Sequence, residues 1–125
     1  MKITNKIRKT VIANKTEKAG NFLAKGLGLM FRGGIGEDEG LLMEFGRPSK
    51  NYTIWMLGMR FPIDIIFIGE DRKVTDVYSN VPPLSFRPST WKVYKPTKPV
   101  KWILELRSGR CKGSGTKVGD ILDFS

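Results

Sequence analysis

Apolar residues gather most densely over residues 55–68, which read WMLGMRFPIDIIFI. Taken as extended from Phe61, alternate side chains point to opposite faces of a strand. Phe61, Ile63, Ile65 and Phe67 share one face, and Pro62, Asp64, Ile66 and Ile68 the other. Both faces are apolar apart from Asp64, which predicts a strand covered on both sides. Pro62 has no N–H to give a ladder, so it marks the strand's start or an edge position. Residues 69–72 form a polar turn, and 73–78 alternate with Val74 and Val77 as inward positions. The pair reads as an antiparallel hairpin.

Elsewhere the apolar runs are shorter. Strands are predicted at 10–13, 41–45, 52–56, 91–94, 102–106 and 121–124, separated by stretches rich in glycine and proline. One segment changes period. Ala19, Phe22, Leu23, Leu27 and Met30 recur at three- and four-residue spacings. With Thr16 as N-cap and Glu17 in the first turn, they predict a helix over 17–25. The expected class is α+β: a rolled antiparallel β-sheet or small barrel of about seven short strands, with one early helix. One domain over 1–125 is expected, with residues 1–15 a basic, partly flexible N-terminal segment.

Charge adds a constraint on partners. The 125 residues hold 22 Lys and Arg against 12 Asp and Glu, a formal charge of +10. Such an excess favours anionic partners, nucleic acid or acidic proteins among them; the alternative is a lysine-rich surface serving solubility or high temperature. Histidine is absent. This excludes Ser-His-Asp and Cys-His catalysis, and His-ligated zinc or iron. The single cysteine, Cys111, excludes an internal disulfide and a thiolate cluster. No Rossmann or P-loop glycine pattern occurs. The acids of GGIGEDEG at 33–40 lack calcium-loop spacing, so no metal and no cofactor is expected. No apolar run reaches the ~20 residues of a membrane span and no secretory h-region is present, so a cytoplasmic location is expected.

Three groups of residues could carry a function. Asp64 sits among isoleucines, where an ionised carboxylate is costly unless it is hydrogen-bonded or paired. It is either a buried acid that accepts backbone N–H groups or a pocket carboxylate acting as ligand anchor or general base. Trp55, Met56, Met59 and Phe61 are either core or the lining of a pocket. With Asp64 and Tyr94, Trp55 and Met59 make up the expected ligand site. Last, Lys92, Lys95, Lys98 and Lys101 recur every third residue beside Trp91, Tyr94 and Trp102. In a polyproline II segment they would form one basic stripe. Basic groups interleaved with aromatics suit single-stranded nucleic acid, and residues 87–117 form that candidate surface.

The blocks GLGLMFR, GLLMEF, GMRFPIDIIFI and LELRSGRCKGSGTKVGDILDF, in that order, resemble the DUF192 family, also called UPF0127. The likeness runs from about Thr16 to Phe124. The family's hallmark falls on Gly58, Met59, Pro62 and Asp64, on Leu104, Glu105, Leu106 and Gly109, and on Gly119 and Asp120. Many members have a histidine where this chain has Trp55. The resemblance implies a compact, mainly antiparallel β fold with an early helical element, and no established activity. The reading adopted is a non-enzymatic binding module for a small molecule or protein partner. Single-stranded nucleic-acid binding through 87–117 is the second reading, and an enzyme using Asp64 as general base the third.

Overall fold

The computed structural model describes residues 1–19 and 33–125. Among these the order is β1 (Ile3–Asn5), β2 (Thr10–Ala13), β3 (Lys15–Ala19), β4 (Glu39–Ser49), β5 (Ile54–Trp55), β6 (Ile63–Ile68) and β7 (Val74–Val81). A 3-10 turn (Pro88–Thr90), β8 (Val93–Tyr94), β9 (Val100–Arg107), helix α1 (Arg110–Ser114) and β10 (Leu122–Phe124) follow. The strands form three sheets rather than a closed barrel. Their orders are β10-β1-β2, β3-β4-β9-β6-β7 and β5-β8.

In the five-stranded sheet β9 lies in the middle, antiparallel to both β4 and β6. The β6–β7 hairpin is antiparallel as its short turn requires. All six residues of β6 are buried. Its alternation divides the core in two. Ile63, Ile65 and Phe67 pack with Leu41, Met43 and Ile103 on one face, while Ile66 and Ile68 pack with Leu42, Leu104 and Leu106 on the other. Each such side chain removed from water contributes roughly 1.5–3 kcal/mol, so this doubly covered sheet is the rigid body of the fold.

Three expectations change. Among the described residues ten strands replace about seven, and the barrel is not closed. Thr16, expected to cap a helix, and residues 17–19 lie instead in β3, paired in parallel with β4. The ladder that β4 offers satisfies these backbone groups, which outweighs the modest helix preference of Glu, Lys and Ala. The rest of the expected helix lies outside the described residues. In the N-terminal segment β1 and β2 join β10, with Ile3 and Ile12 fully buried. Among the described residues no helix is long and apolar enough to cross a membrane.

Candidate functional site

Asp64 belongs to the face of β6 that carries Ile66 and Ile68, and it is 0% exposed. Its Oδ1 accepts the Asn80 N–H at 2.8 Å. Its Oδ2 accepts the N–H groups of Gly109 at 3.1 Å and Cys111 at 2.8 Å. Gly109 reaches this position at φ 99°, a backbone conformation that a side chain would strain. One carboxylate thus joins β6 to the end of β7 and to the start of α1. Burial, with the Asp64 charge beside it, pushes the Cys111 thiol up, out of the nucleophilic range. The flanking Arg110 and Lys112 do not reverse this, because Cys111 is buried; Arg110 donates to the Val11 and Ile12 carbonyls.

The four residues of the expected ligand site do not converge. Trp55 points outward at 55% exposed, and Tyr94 is buried. Met59 packs against the cluster of Ile63 and Ile65, whereas Asp64 faces the other side of the sheet. A pocket built on Asp64 needs that carboxylate partly exposed and open to a ligand. It is instead enclosed and bonded by backbone, so the geometry gives it neither a ligand nor a proton-transfer role.

A second buried acid was not among the candidates read from the sequence. Glu105, on β9, is flanked across the ladder by Leu41 and Ile65. It is buried, its Oε2 has no hydrogen-bond partner among the described residues, and desolvation raises its carboxyl to about 7. The signal was present in the run ILEL, which surrounds Glu105 as apolarly as IDII surrounds Asp64.

Large apolar side chains left in water gather on the β5–β8 ribbon and its neighbouring loop. In the ribbon Ile54 pairs with Tyr94, both buried, and Trp55 pairs with Val93, both exposed. Alternation therefore gives the ribbon a wet apolar face. The Leu84 N–H bonds to the Met56 carbonyl at 3.4 Å and brings the loop over 84–91 alongside. Inside that loop Thr90 is buried; its Oγ1 accepts the Ser85 N–H at 2.9 Å and donates to the Arg87 carbonyl at 2.7 Å. The Trp91 indole N–H donates to the Ser85 carbonyl. So held, the loop presents Trp91 at 60% and Phe86 at 100% exposed, and Leu57 is partly in solvent at 44%.

Lys92 and Lys95 are exposed beside this face, as is Arg87. The Lys92 ammonium lies 5.3 Å from the centre of the Tyr94 ring, and Tyr94 meets Tyr78 edge-on at 5.3 Å. Tyr78 Oη donates to the Lys95 carbonyl at 2.6 Å, and Asp76 Oδ1 accepts the Thr97 N–H at 2.9 Å. These bonds fasten residues 95–97 to β7. Burial raises both phenols, Tyr78 with help from the Asp76 charge, so both stay protonated donors.

The four lysines do not form one stripe. The three-residue period breaks where β9 begins at Val100. Lys98 lines a separate cleft of about 570 Å³ with Pro48, Lys73 and Val118. Lys101 stacks 5.5 Å from the Trp102 ring, and Trp102 is itself buried, its indole N–H bonded to Glu44 at 2.9 Å. Of the nucleic-acid residues expected from the sequence, Trp91, Lys92 and Lys95 are all exposed, with Lys92 turned over the Tyr94 ring rather than along the face of Trp91 and Val93. Phe86, Leu57 and Val93 are exposed as well.

The family model of DUF192, described as "Uncharacterized ACR", matches residues 3–124. A UPF0127 protein of Pyrococcus furiosus is 31% identical over 110 residues, covering 86% of this chain and 84% of the relative. One from Pyrococcus abyssi is 30% identical over 125 residues, covering 98% and 96%. A solved protein of unknown function from Novosphingobium aromaticivorans shares the fold with a TM-score of 0.82 and 27% identity, over 98% of this chain and 82% of its own. The chain belongs to the DUF192 (UPF0127) family.

Proposed function

We propose that this protein is a non-enzymatic binding module that takes single-stranded nucleic acid on the wet face of the β5–β8 ribbon. The observation that carries the reading is the exposure of Trp55, Phe86 and Trp91 beside Arg87, Lys92 and Lys95. Bases stack on such rings with little regard to sequence, at about 1–3 kcal/mol each. The basic side chains meet the phosphates, and the net charge of +10 draws the strand in. A small-molecule pocket on Trp55, Met59, Asp64 and Tyr94 is less well supported, since those side chains face different surroundings. A general-base role for Asp64 lacks an approach for substrate.

Titration with a short oligothymidylate at low salt, followed by tryptophan fluorescence, tests this. Binding is expected to quench Trp55 and Trp91 and leave buried Trp102 unchanged. Trp91→Ala should weaken it by roughly 5–150-fold, the worth of one stacked base. Contacts from Arg87, Lys92 and Lys95 predict a slope near −2 for log K against log salt, about −0.7 per phosphate on a single strand. No quenching at low salt would overturn the reading.

A further inference from the structure

A second surface, built from the two turns at 6–9 and 115–119, has no part in the ribbon site. Asn5 and Asp120 tie these turns together. Asn5 Oδ1 accepts the N–H groups of Ile7 and Arg8, both at 3.0 Å. Asn5 Nδ2 donates to Thr116 Oγ1 at 3.2 Å and to Asp120 Oδ2 at 3.0 Å. The same Asp120 oxygen accepts the Lys117 N–H at 3.0 Å and pairs with Arg8 Nε at 3.2 Å. Asn5, Thr116 and Asp120 are all buried. Above this buried knot the exposed side chains are Lys6, Ile7, Arg8 and Lys9 from one turn and Lys117 and Val118 from the other.

Three features set this surface apart. Its only buried acid, Asp120, is already taken by Arg8 and backbone, which leaves Lys6, Lys9 and Lys117 without an ion pair among the described residues. The other acids nearby are exposed Asp123, on β10 opposite Thr4, and Glu70 and Asp71, which line a cleft with Val118. Two aliphatic side chains are exposed here, Ile7 at 52% among the cations of its turn and Val118 at 62%, at the border with the cleft that Lys73, Lys98, Glu70 and Asp71 also line. Finally, Lys9 adopts φ 58°, where Gly or Asn would be unstrained and lysine is uncommon.

We infer that this knot docks on an anionic membrane surface. Lysines attract acidic headgroups, and exposed aliphatic side chains gain by entering the boundary between headgroup and acyl chain. Isoleucine and valine offer no ring on which a base could stack, so the same cations suit lipid better than single-stranded nucleic acid. The turns are preorganised by the Asn5–Asp120 bonds, so docking costs little further ordering.

Co-sedimentation with vesicles of phosphatidylcholine alone, and of phosphatidylcholine with one third phosphatidylglycerol, tests the inference on the full chain. Binding is expected only to the anionic vesicles and to fall with salt. Each lysine near the surface is worth about fivefold, so Lys6→Glu with Lys9→Glu should cut partitioning at least twentyfold. Ile7→Ser with Val118→Ser should cut it several-fold at unchanged charge. Lys92→Glu with Lys95→Glu, on the ribbon, should leave the surface intact and lower partitioning no more than an equal loss of net charge elsewhere. All three pairs are exposed, and an unchanged thermal transition verifies folding. Equal binding to neutral vesicles, no binding to either, or indifference to the serine pair would each overturn the proposal. So would loss of oligonucleotide rather than vesicle binding in the Lys6, Lys9 variant.

Discussion

Glu105 makes the energetics of the central strand testable through pH. Its carboxyl rises from 4.5 to about 7 because burial removes water from the charged form. At about 1.4 kcal/mol per pH unit, the fold favours the protonated over the ionised side chain by about 3 kcal/mol. The folded state therefore binds more protons than the unfolded chain between pH 4.5 and 7. The contribution is fully present below 4.5, falls as pH rises through 7, and is constant above that. Glu105→Gln keeps the shape and removes the titration. Denaturant unfolding at intervals from pH 4.5 to 8.5 should show the difference between wild type and variant changing by about 3 kcal/mol, the variant gaining relative stability as pH rises. The unpartnered amide will offset part of the absolute gain at pH 8 but not the slope. Two other acids act in a different window. Glu44 is held below its usual range by the Trp102 indole, and Asp120, against its own burial, by Asn5, the Lys117 N–H and Arg8. Their contribution is lost as pH falls below about 4.5, equally in both proteins. Parallel curves across the whole range would refute the assignment.

Other perturbations follow from the same geometry. Asp64→Asn leaves one oxygen for three N–H donors and turns an NH2 against one of them. It should cost roughly 2–4 kcal/mol in denaturant midpoint at unchanged m-value, and a loss under 1 kcal/mol would contradict the hub role. Gly109→Ala forces a side chain into φ 99° and should lose about 1–2 kcal/mol, again by denaturant melt. Thr16 is buried on β3 with its Oγ1 unpartnered among the described residues, so the isosteric Thr16→Val should gain about 1 kcal/mol; a loss would mean that the hydroxyl has a role.

The five-stranded sheet is largely legible in the amino-acid pattern. The continuous apolar runs at Leu41–Met43, Ile63–Ile68 and Trp102–Leu106 form strands covered on both faces, and the alternating Val74–Val77 forms a strand at the sheet's edge, each bounded by turn residues that fix its length. Where the pattern misleads, a long-range pairing decides the outcome. Lys15–Ala19 has no strand signature of its own and is extended only because β4 lies beside it. The lysine spacing of three from Lys92 implies a helical stripe, yet the Val100–Arg107 strand interrupts it. Asp64 and Glu105 look alike in sequence, each an acid among aliphatics. What separates them is which face of the sheet each side chain occupies. The face of β6 bearing Asp64 meets three N–H groups, at Asn80, Gly109 and Cys111, and the face of β9 bearing Glu105 meets Leu41 and Ile65. No local pattern records that difference.

The ribbon surface is legible only in its parts. Trp91, Lys92 and Lys95 stand out by composition, but exposure is a property of the loop. Burying an aromatic ring of this size would gain a few kcal/mol, so a chain selected for stability alone would turn Trp55, Phe86 and Trp91 inward. Instead the loop has its own fastenings. Thr90 is buried to bond Ser85 and Arg87, the Trp91 indole N–H is turned back to Ser85, and Tyr78 and Asp76 pin the following segment to β7. These bonds brace the backbone of the loop and hold the Trp91 ring at the surface. Scattered exposed apolar residues need no explanation, but five of them, Trp55, Leu57, Phe86, Trp91 and Val93, on one braced ribbon and loop do. A preorganised surface loses little entropy on binding, so the contacts made there translate into affinity. The hallmark run that organises the core thus starts at its outer end, Trp55, on the surface where binding is proposed, while Asp64 at its centre holds the strands beneath it.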